Sequence, residues 1–424
     1  MIILINSLKE LIITYVLYLF LSQIFHMQIR LSNTVNNLVE SATIKMAQMA
    51  RDLKAKGHDV ISLSLGEPDF DTPKFIIEAA HEAMNNGYTH YTPVPGLVEY
   101  REAIVKKLKR DNNLDYNINQ IVVSNGAKQC IYNIAQALLN KDDEVIIFAP
   151  YWVSYSAIVE LTGAKVVSIT SEVDADYKVT ADQLKEALSE KTKFVLFSSP
   201  CNPTGSVYTQ EELGSFAEVL KDYPDVLVVS DEIYEYIVFE GEHQSIAQFE
   251  EVRDRTIVVN GMSKGFAMTG WRLGYMAAPL PIAKACAKIQ GQVTSGATSF
   301  GQKAAAIALL TESDEKEKMK EVFRKRRDMM LDLLNGIPHM QLNVPNGAFY
   351  LFPDVSGAFG KSINGKTISN SSDVSEYMLS EVHVATVAGA SFGNDKCIRI
   401  SYATSEEQLK EAAARIRRFF ESLS

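Results

Sequence analysis

Polar side chains follow three of the apolar runs in this sequence, at the point where each run ends. The run KFVLF precedes a turn that contains Asn202, the run VLVVS leads into Asp231 and Tyr234, and the run TIVVN is followed by Lys264. Ligands of open α/β sheets bind at the carboxyl ends of the strands. A single Asp or Asn after a strand is usually a turn former, but the four residues together predict one shared ligand site.

A Lys, an Asp and a Tyr in one site can do chemistry without a metal ion. A Lys amine forms a Schiff base with a carbonyl, which is useful when an aldehyde cofactor carries a ring that takes up electrons. An Asp beside the nitrogen of that ring keeps it protonated, and a Tyr hydroxyl or an Asn amide can hold its phenolic oxygen. The residue types therefore indicate such a cofactor, with Lys264 as its attachment point.

Groups that can bind a phosphate lie near the same Lys in the sequence. Arg272 follows Lys264 by eight residues, and segment 124–128 (SNGAK) joins a strand pattern to a helix pattern. Free amides at the start of a helix bind phosphate. Trp152 is a flat side chain that can stack on a ring or pack in the core.

Composition restricts the class of protein. Of 424 residues, 46% are hydrophobic and 22% are charged, which is typical of a folded protein with two or three domains. The 42 basic and 52 acidic residues give a formal charge of −10, which argues against general nucleic-acid binding. The four Cys are far apart and the seven His are scattered. We therefore expect free thiols, a cytoplasmic location and no protein-built metal site.

Residues 1–26 form an apolar extension with three competing interpretations. The apolar run from Leu11 to Phe25 is shorter than the ~20 residues that a membrane helix needs. A signal peptide would have a basic start and a small-residue cleavage site, and neither is present. The favoured interpretation is a start placed too far upstream, with Met27 opening the chain, and a weak membrane or surface anchor is the alternative. Residues 1–26 are therefore left out of the fold prediction.

From Met27 onward, apolar runs of strand length alternate with helical periodicity, which predicts an α/β fold. One helix is predicted from Pro73 to Gly87 with Thr72 as its N-cap, one begins at Thr209 with a capping box to Glu212, and one begins at Ser405. Continuous apolar runs are typical of strands buried on both faces of a mostly parallel, seven-stranded sheet. The predicted strands of that sheet are Ile121 to Ser124, Glu144 to Phe148, Lys165 to Thr170, Lys193 to Phe197, Val226 to Ser230, Thr256 to Asn260 and Leu273 to Ala278.

The order of these patterns predicts a large and a small domain after the extension. Residues 27–74 are predicted to form an N-terminal arm and part of the small domain, residues 75–310 the large domain, and residues 311–424 the rest of a small α+β domain. Short strands of the small domain are predicted at Ala348 to Phe352, His383 to Val387 and Cys397 to Ser401.

The motifs carry a family resemblance. The run GMSKGFAMTGWRLGY, from Gly261 to Tyr275, resembles the pyridoxal-phosphate lysine motif of class I aminotransferases. Other segments match that family in the same order: SLGEPDFDTP, YTPVPGLVEYRE, SNGAKQ, APYWVSY, CNPTG, SDEIYE and CIRISYATS. Together they span the chain from about Ser41 to its end, and they are most similar to the bacterial-type aspartate aminotransferases, a subgroup that includes prephenate aminotransferases. The resemblance implies the fold type I architecture of pyridoxal-phosphate enzymes.

The resemblance also implies roles for individual residues. Lys264 would carry the cofactor as a Schiff base and later act as the general base, and Asp231 would pair with the pyridine nitrogen. Tyr234 and Asn202 would contact the phenolic oxygen. The residues that match the phosphate-side segments are Ala127, Lys128, Ser263 and Arg272.

Five further positions match the family or depart from it. Trp152 matches the position that stacks on the cofactor ring, Gly66 the backbone that lines the substrate, and Arg399 the residue that grips its α-carboxylate, a task suited to a guanidinium. Tyr91 matches a tyrosine that reaches the phosphate of a neighbouring subunit, which implies a homodimer with shared sites. Gly261 stands where some distant relatives have a phosphate-binding Ser, so one phosphate contact is expected to be lost.

An acidic substrate needs a second cation besides Arg399. Lys128 is the candidate, with Ser41, Thr43 and Ser295 as polar partners, although Lys128 can instead serve only the phosphate or solvent. We expect ping-pong transamination between L-aspartate and 2-oxoglutarate, giving oxaloacetate and L-glutamate. The alternatives are a prephenate or aromatic aminotransferase, or a lyase on the same scaffold.

One further segment matches a nucleotide-binding motif in its spacing but not in its context. Segment 360–367 (GKSINGKT) satisfies the spacing of a P-loop, which requires a strand directly before it and a helix that begins at its Lys. The flanking residues are turn formers, so we expect an exposed loop instead.

Overall fold

The computed structural model describes residues 8–16 and 29–424, which fall into two compact units, Met1–Val39 and Glu40–Ser424. In the first unit, residues 8–16 form helix α1 and Asn33–Asn37 form helix α2, whose N-cap Ser32 accepts a hydrogen bond from the Val35 amide. No helix in the described ranges is long and apolar enough to cross a membrane. Most of the extension, residues 1–7 and 17–26, lies outside those ranges, so its interpretation stays a prediction.

The largest sheet has seven strands in the order β2-β8-β7-β6-β5-β3-β4. Strand β8 runs antiparallel to both of its neighbours, and the other neighbouring strands are parallel, which confirms the mostly parallel sheet. The strands are β2 (Ile121–Ser124), β3 (Glu144–Ala149), β4 (Lys165–Thr170), β5 (Thr192–Ser198), β6 (Leu227–Asp231), β7 (Thr256–Gly261) and β8 (Gly274–Ala277).

Helices cover both faces of this sheet. Neighbouring residues of β3 show the two faces, since Ile146 packs in one hydrophobic cluster with Phe216 and Ile147 packs in another with Ile134. Burial on both faces explains why the strands read as continuous apolar runs. The helices between α2 and the small sheets are α3 (Ala42–Ala55), α4 (Lys74–Asn85), α5 (Val98–Asn112), α6 (Ala127–Leu138), α7 (Ser154–Glu160), α8 (Ala181–Ala187), α9 (Gln210–Lys221), α10 (Glu250–Arg253), α11 (Leu280–Val293) and α12 (Ser299–Leu310).

Three small sheets accompany helices α13 (Glu315–Leu334), α14 (Ser371–Val382) and α15 (Glu406–Glu421). One sheet pairs β1 with β12 in parallel, one is an antiparallel β13-β14-β9 sheet, and one is the hairpin β10-β11. Their strands are β1 (Ile61–Ser62), β9 (Tyr350–Leu351), β10 (Ser362–Ile363), β11 (Lys366–Thr367), β12 (Val384–Ala385), β13 (Val387–Ala388) and β14 (Ile398–Ser401).

The structure corrects three local predictions. The predicted strand from His383 to Val387 is two strands, β12 and β13, which pair with different partners. Helix α4 has Pro73 as its N-cap, because the Thr72 hydroxyl instead donates to the Ala267 carbonyl at 2.7 Å and accepts from Trp271 Nε1. Strand β4 is not buried on both faces, since it is an edge strand with exposed Lys165 and Thr170.

Segment 360–367 (GKSINGKT) forms the hairpin β10-β11. Asn364 and Gly365, both with positive φ, make its turn, and the next helix begins only at Ser371. The strand-then-helix context that a P-loop needs is therefore missing in this segment.

Candidate active site

The carboxyl ends of β5, β6 and β7 meet at a cavity of about 440 Å³. Most residues predicted for the site line this cavity, which is the convergence expected at this edge of the sheet. The predicted residues in the lining are Ser41, Thr43, Gly66, Ala127, Lys128, Trp152, Asn202, Asp231, Tyr234, Ser263, Lys264, Arg272 and Arg399. Tyr91 and Ser295 are not among the lining residues.

Lys264 follows β7 and is half-buried beside Gly66, whose carbonyl oxygen accepts a hydrogen bond from Nζ. Burial lowers the pKa of Lys264 to about 8, and the positive charge of Arg399 acts in the same direction. A Lys with a lowered pKa is a better nucleophile and base near neutral pH, because more of it is uncharged.

Asp231 is the last residue of β6, and both of its carboxylate oxygens are held. The Tyr155 hydroxyl donates to Oδ2 at 2.6 Å, and the Ile233 amide donates to Oδ1 at 3.2 Å. Burial raises the pKa of Asp231 to about 6, while these two hydrogen bonds act to lower it. A buried carboxyl held in this way can face a cationic ring nitrogen in a fixed orientation.

The side chains at the end of β6 and in the turn after it point either into the cavity or away from it. Asp231 and Tyr234 line the cavity, whereas the Glu232 carboxylate accepts hydrogen bonds from Ser245 Oγ at 2.6 Å and from Ser230 Oγ at 3.0 Å. Glu235, three residues further on from Glu232, forms a buried ion pair with Lys107 of α5. These buried contacts fix the backbone that carries Asp231 and Tyr234.

Arg399 lies in β14 and is 2% exposed. Its Nη1 donates to Asn202 Oδ1 at 3.0 Å, its Nη2 donates to the Ser64 carbonyl, and its Nε has no acceptor among the described residues. The guanidinium therefore retains hydrogen-bonding capacity for an anion in the cavity, which suits a carboxylate.

A cationic end of the cavity is built where α6 begins. Gly126 has a φ of 84° and caps the helix, so the amides of Ala127 and Lys128 fall in its first turn, where backbone N–H groups have no intrahelical acceptor. Arg272 reaches the same place, with Nη2 donating to the Asn125 carbonyl at 3.2 Å. Helix amides and a guanidinium side by side form a phosphate-binding arrangement.

Lys128 and Trp152 lie in contact within the cavity lining. The Lys128 ammonium stands 4.9 Å from the centre of the Trp152 ring, and the pKa of Lys128 is lowered by burial and by the charge of Arg272. Lys128 and Arg272 are therefore two further cations that line the cavity, besides Lys264 and Arg399.

Gly261 cannot be replaced by a phosphate-binding Ser without movement of the backbone. A Cβ at Gly261 would lie 2.7 Å from the Leu273 carbonyl oxygen and 2.9 Å from Gly274 Cα. The close approach of β7 and β8 therefore gives a physical reason for the departure at this position.

Two tyrosines of the site were missed by the sequence reasoning. Tyr155 contacts Asp231, and the Tyr350 hydroxyl lies 2.7 Å from the Tyr234 hydroxyl. Tyr155 falls inside the quoted segment APYWVSY, but Tyr350 lies in an apolar run, GAFYLF, that resembles ordinary core.

The residues present fit a pyridoxal-phosphate molecule. A phosphate suits the first turn of α6 with Arg272, an aldehyde suits Lys264, and a ring nitrogen suits the buried carboxyl of Asp231. The Ser198 hydroxyl and Arg399 Nε are buried without partners in the described part of the chain, as expected for a cavity that receives a polar ligand.

An α/β fold with a half-buried Lys, a buried Asp and a cationic helix start at one sheet edge is typical of pyridoxal-phosphate enzymes. The family model described as aminotransferase class I and II matches residues 58–416, and the chain belongs to this family. Pyridoxal phosphate is its cofactor, as the motifs around Lys264 predicted.

Curated relatives and solved structures agree with this assignment. The chain is 46% identical over 393 residues to a probable aspartate/prephenate aminotransferase of Rhizobium leguminosarum, covering 92% of this chain and 98% of the relative. It is 44% identical over 400 residues to the aspartate aminotransferase of Bacillus subtilis, covering 93% and 100%. The structure of the Rhizobium meliloti aspartate aminotransferase matches with a TM-score of 0.90 and 40% identity, over 93% of this chain and all of that one.

Proposed function

We propose that the chain transfers the amino group of L-aspartate to 2-oxoglutarate, giving oxaloacetate and L-glutamate. The observation that carries the proposal is one cavity lined by Lys264, by the buried Asp231 and by two further cations, Arg399 and Lys128. Relatives named aspartate aminotransferase support the choice of an acidic substrate.

The chemistry divides between the cofactor and the chain. Bound pyridoxal phosphate supplies an aldehyde that reacts with amines and a ring that takes up electrons. The backbone amides of Ala127 and Lys128, together with Ser263 and Arg272, hold the phosphate, and Trp152 stacks on the ring.

Four side chains hold or move protons at the cofactor ring and the substrate. Asp231 faces the ring nitrogen and keeps a proton on it, and Tyr234 with Asn202 hydrogen-bonds the ring oxygen. Lys264, once its amine is free, acts as the general base that removes the proton from the substrate Cα. It then acts as the general acid that returns a proton and so completes the transfer of the amino group. An oxo acid leaves before the second oxo acid enters, so the reaction is ping-pong.

Substrate recognition needs two carboxylate sites. Arg399 binds the α-carboxylate beside the Gly66 backbone, and Lys128 binds the side-chain carboxylate with Ser41, Thr43 and Ser295 as polar partners. Ser41 and Thr43 stand at the lining with Lys128. Tyr91 belongs to the proposal through the shared sites of a homodimer, in which it is expected to reach the neighbouring subunit's phosphate. Ser295 does not line this cavity and stays a predicted polar partner of Lys128.

The proposed location is the cytoplasm. All four cysteines are free thiols, and Cys130, Cys286 and Cys397 are buried. Free thiols are typical of reducing compartments.

The first experiment is the absorbance spectrum of the purified protein with pyridoxal phosphate. We expect a visible band that L-aspartate converts to the amine form of the cofactor and that 2-oxoglutarate restores. A band that aspartate leaves unchanged contradicts aspartate as the substrate, and addition of prephenate-derived or aromatic amino acids then tests the alternatives. Labelled nitrogen released from aspartate as ammonia would indicate a lyase.

Lys264→Ala tests the catalytic assignment. The variant is expected to lose the visible band and transamination while keeping its circular dichroism spectrum, and Lys193→Ala, at a half-exposed lysine of β5, serves as the control. Full activity of Lys264→Ala would refute the mechanism.

A further inference from the structure

Tyr350 of β9 stands between the substrate-binding Arg and the tyrosine predicted to bind the cofactor ring. It is completely buried in the protein and lines the cavity. Its hydroxyl is 2.7 Å from the Tyr234 hydroxyl, and the centre of its ring is 4.7 Å from the Arg399 guanidinium carbon. Tyr350 therefore contacts two functional groups through two different parts of one side chain.

The third neighbour of Tyr350 is the backbone at Gly66. A Cβ at Gly66 would overlap the Tyr350 hydroxyl, so the two are in close contact because Gly66 has no side chain. The Gly66 carbonyl in turn accepts the hydrogen bond from Lys264. The hydroxyl is thus held on one side by the Gly66 segment and on the other by Tyr234.

We propose that Tyr350 is a positioning residue that donates its hydroxyl proton to Tyr234, so that the Tyr234 proton is left for the ring oxygen of the cofactor. Its ring separately orients the Arg399 guanidinium for the substrate carboxylate. The proposal deepens the proposed function and rests on the roles given there to Tyr234 and Arg399.

The charge of Arg399 acts on both hydroxyls, and its guanidinium stands over the Tyr350 ring, which favours Tyr350 as the donor. A cation over the face of a phenol ring draws electron density from it and makes its O–H a stronger donor. Burial raises the pKa of Tyr350, and the charge of Arg399 opposes that rise. Hydrogen bonds in a chain also polarise one another, so a donor behind Tyr234 strengthens the hydrogen bond that Tyr234 makes in front.

Tyr350→Phe removes the hydroxyl and keeps the ring over Arg399. Tyr234 then becomes a weaker donor, the anionic form of the cofactor's ring oxygen is less stabilised, and the visible band of the bound cofactor titrates at higher pH. The expected rise is roughly 0.1 to 0.5 pH unit, the fraction of a hydrogen bond to a charged group that polarisation by a neighbouring donor contributes. The affinity for maleate, an unreactive dicarboxylate, should stay within about twofold because the ring still contacts Arg399.

Tyr350→Leu removes the ring as well. Maleate binding is then expected to weaken roughly 3- to 10-fold, the value of one buried cation–ring contact. Tyr402→Phe is the matched control, because Tyr402 is buried in the same hydrophobic cluster and its hydroxyl does not line the cavity. It should leave both the titration and maleate binding at wild-type values.

The outcomes separate two kinds of failure. A wild-type protein without a visible band contradicts the proposed function itself. A wild-type band together with an unshifted titration of Tyr350→Phe, or with an equal shift in Tyr402→Phe, overturns only the inference about Tyr350. Equal maleate affinities for Tyr350→Phe and Tyr350→Leu overturn the inference that the Tyr350 ring orients the Arg399 guanidinium.

Discussion

Lys264 and Asp231 show how burial prepares individual side chains for chemistry. Desolvation disfavours the charged form of each, so the pKa of Lys264 falls to about 8 and that of Asp231 rises to about 6. The lowered pKa is useful before the cofactor arrives, because it increases the uncharged fraction of the amine and only that form attacks an aldehyde. Perturbed pKa values of opposite sense within one cavity are typical of catalytic sites.

The lowered pKa of Lys264 gives a testable pH dependence in the cofactor-free protein. Reaction with pyridoxal, which lacks the phosphate, should accelerate with a midpoint near pH 8, because the neutral amine appears as the pH rises through the folded-state pKa. Stopped-flow absorbance measures the rate, and the Lys264→Ala protein gives the contribution of the other lysines to subtract. A midpoint near 10.5, the ordinary value for Lys, would contradict the effect of burial.

At the residue scale, sequence reasoning found the side chains that carry charge and missed those that support them. Lys264, Asp231 and Arg399 stand in conspicuous contexts, either directly after an apolar run or within a family motif. The Tyr155 hydroxyl contacts Asp231, which lies 76 positions away in the chain. The Tyr350 hydroxyl contacts Tyr234, which lies 116 positions away. Such contacts depend on tertiary packing, which periodicity and spacing do not reveal.

At the scale of elements, strand existence was easier to predict than strand partners. The bounds of all seven strands of the large sheet lie within one residue of their predicted bounds. The predicted strand from His383 to Val387 is instead two strands, because Val384–Ala385 pairs with β1 and Val387–Ala388 pairs with β14. An apolar run carries no signal of the point where it changes its partner.

Gly126 is the element-scale position where the phosphate cradle is most easily broken. A Cβ there would overlap the Arg272 guanidinium, and the backbone, with φ 84° and ψ 161°, lies in a region that only Gly adopts readily. Gly126→Ala is expected to cost about 1–3 kcal/mol of folding free energy through backbone strain. It should also weaken pyridoxal-phosphate binding at least about tenfold, because Arg272 is displaced from the helix start.

A matched glycine separates strain from the loss of the cradle. Gly57 also has a positive φ, 91°, but a Cβ there would meet open space. Gly57→Ala should therefore lower the melting temperature without changing cofactor affinity, as measured by fluorescence titration. Equal cofactor affinity in Gly126→Ala and the wild type would contradict the assigned cradle.

At the scale of the whole molecule, Tyr91 is the residue that the single chain leaves unexplained. Its side chain is 97% exposed, an unusual position for a large aromatic residue with a predicted role. A homodimer in which Tyr91 reaches the neighbouring subunit's phosphate accounts for that exposure. The division into domains and the pairing of subunits both stay predictions, because contacts within one chain do not test them.

A hybrid dimer tests the shared site. Sedimentation should give twice 47.1 kDa, and Tyr91→Phe is expected to weaken cofactor affinity. In a hybrid of Lys264→Ala and Tyr91→Phe subunits, one site contains an intact Lys264 and receives an intact Tyr91. That hybrid should show about half the wild-type activity, and its active site should bind the cofactor with wild-type affinity. A hybrid that binds the cofactor as weakly as the Tyr91→Phe homodimer would contradict shared sites.

The close approach of β7 and β8 also limits how this sequence can change over evolutionary time. Gly261 and Gly274 face each other across the two strands, and a Cβ on Gly274 would overlap the backbone at Gly126 and Ala127. A first mutation at either glycine meets main-chain atoms, which cannot rotate away as a side chain can. A single change to Ser at position 261 therefore carries the cost of a main-chain shift between β7 and β8, which selects against it as long as this packing is kept.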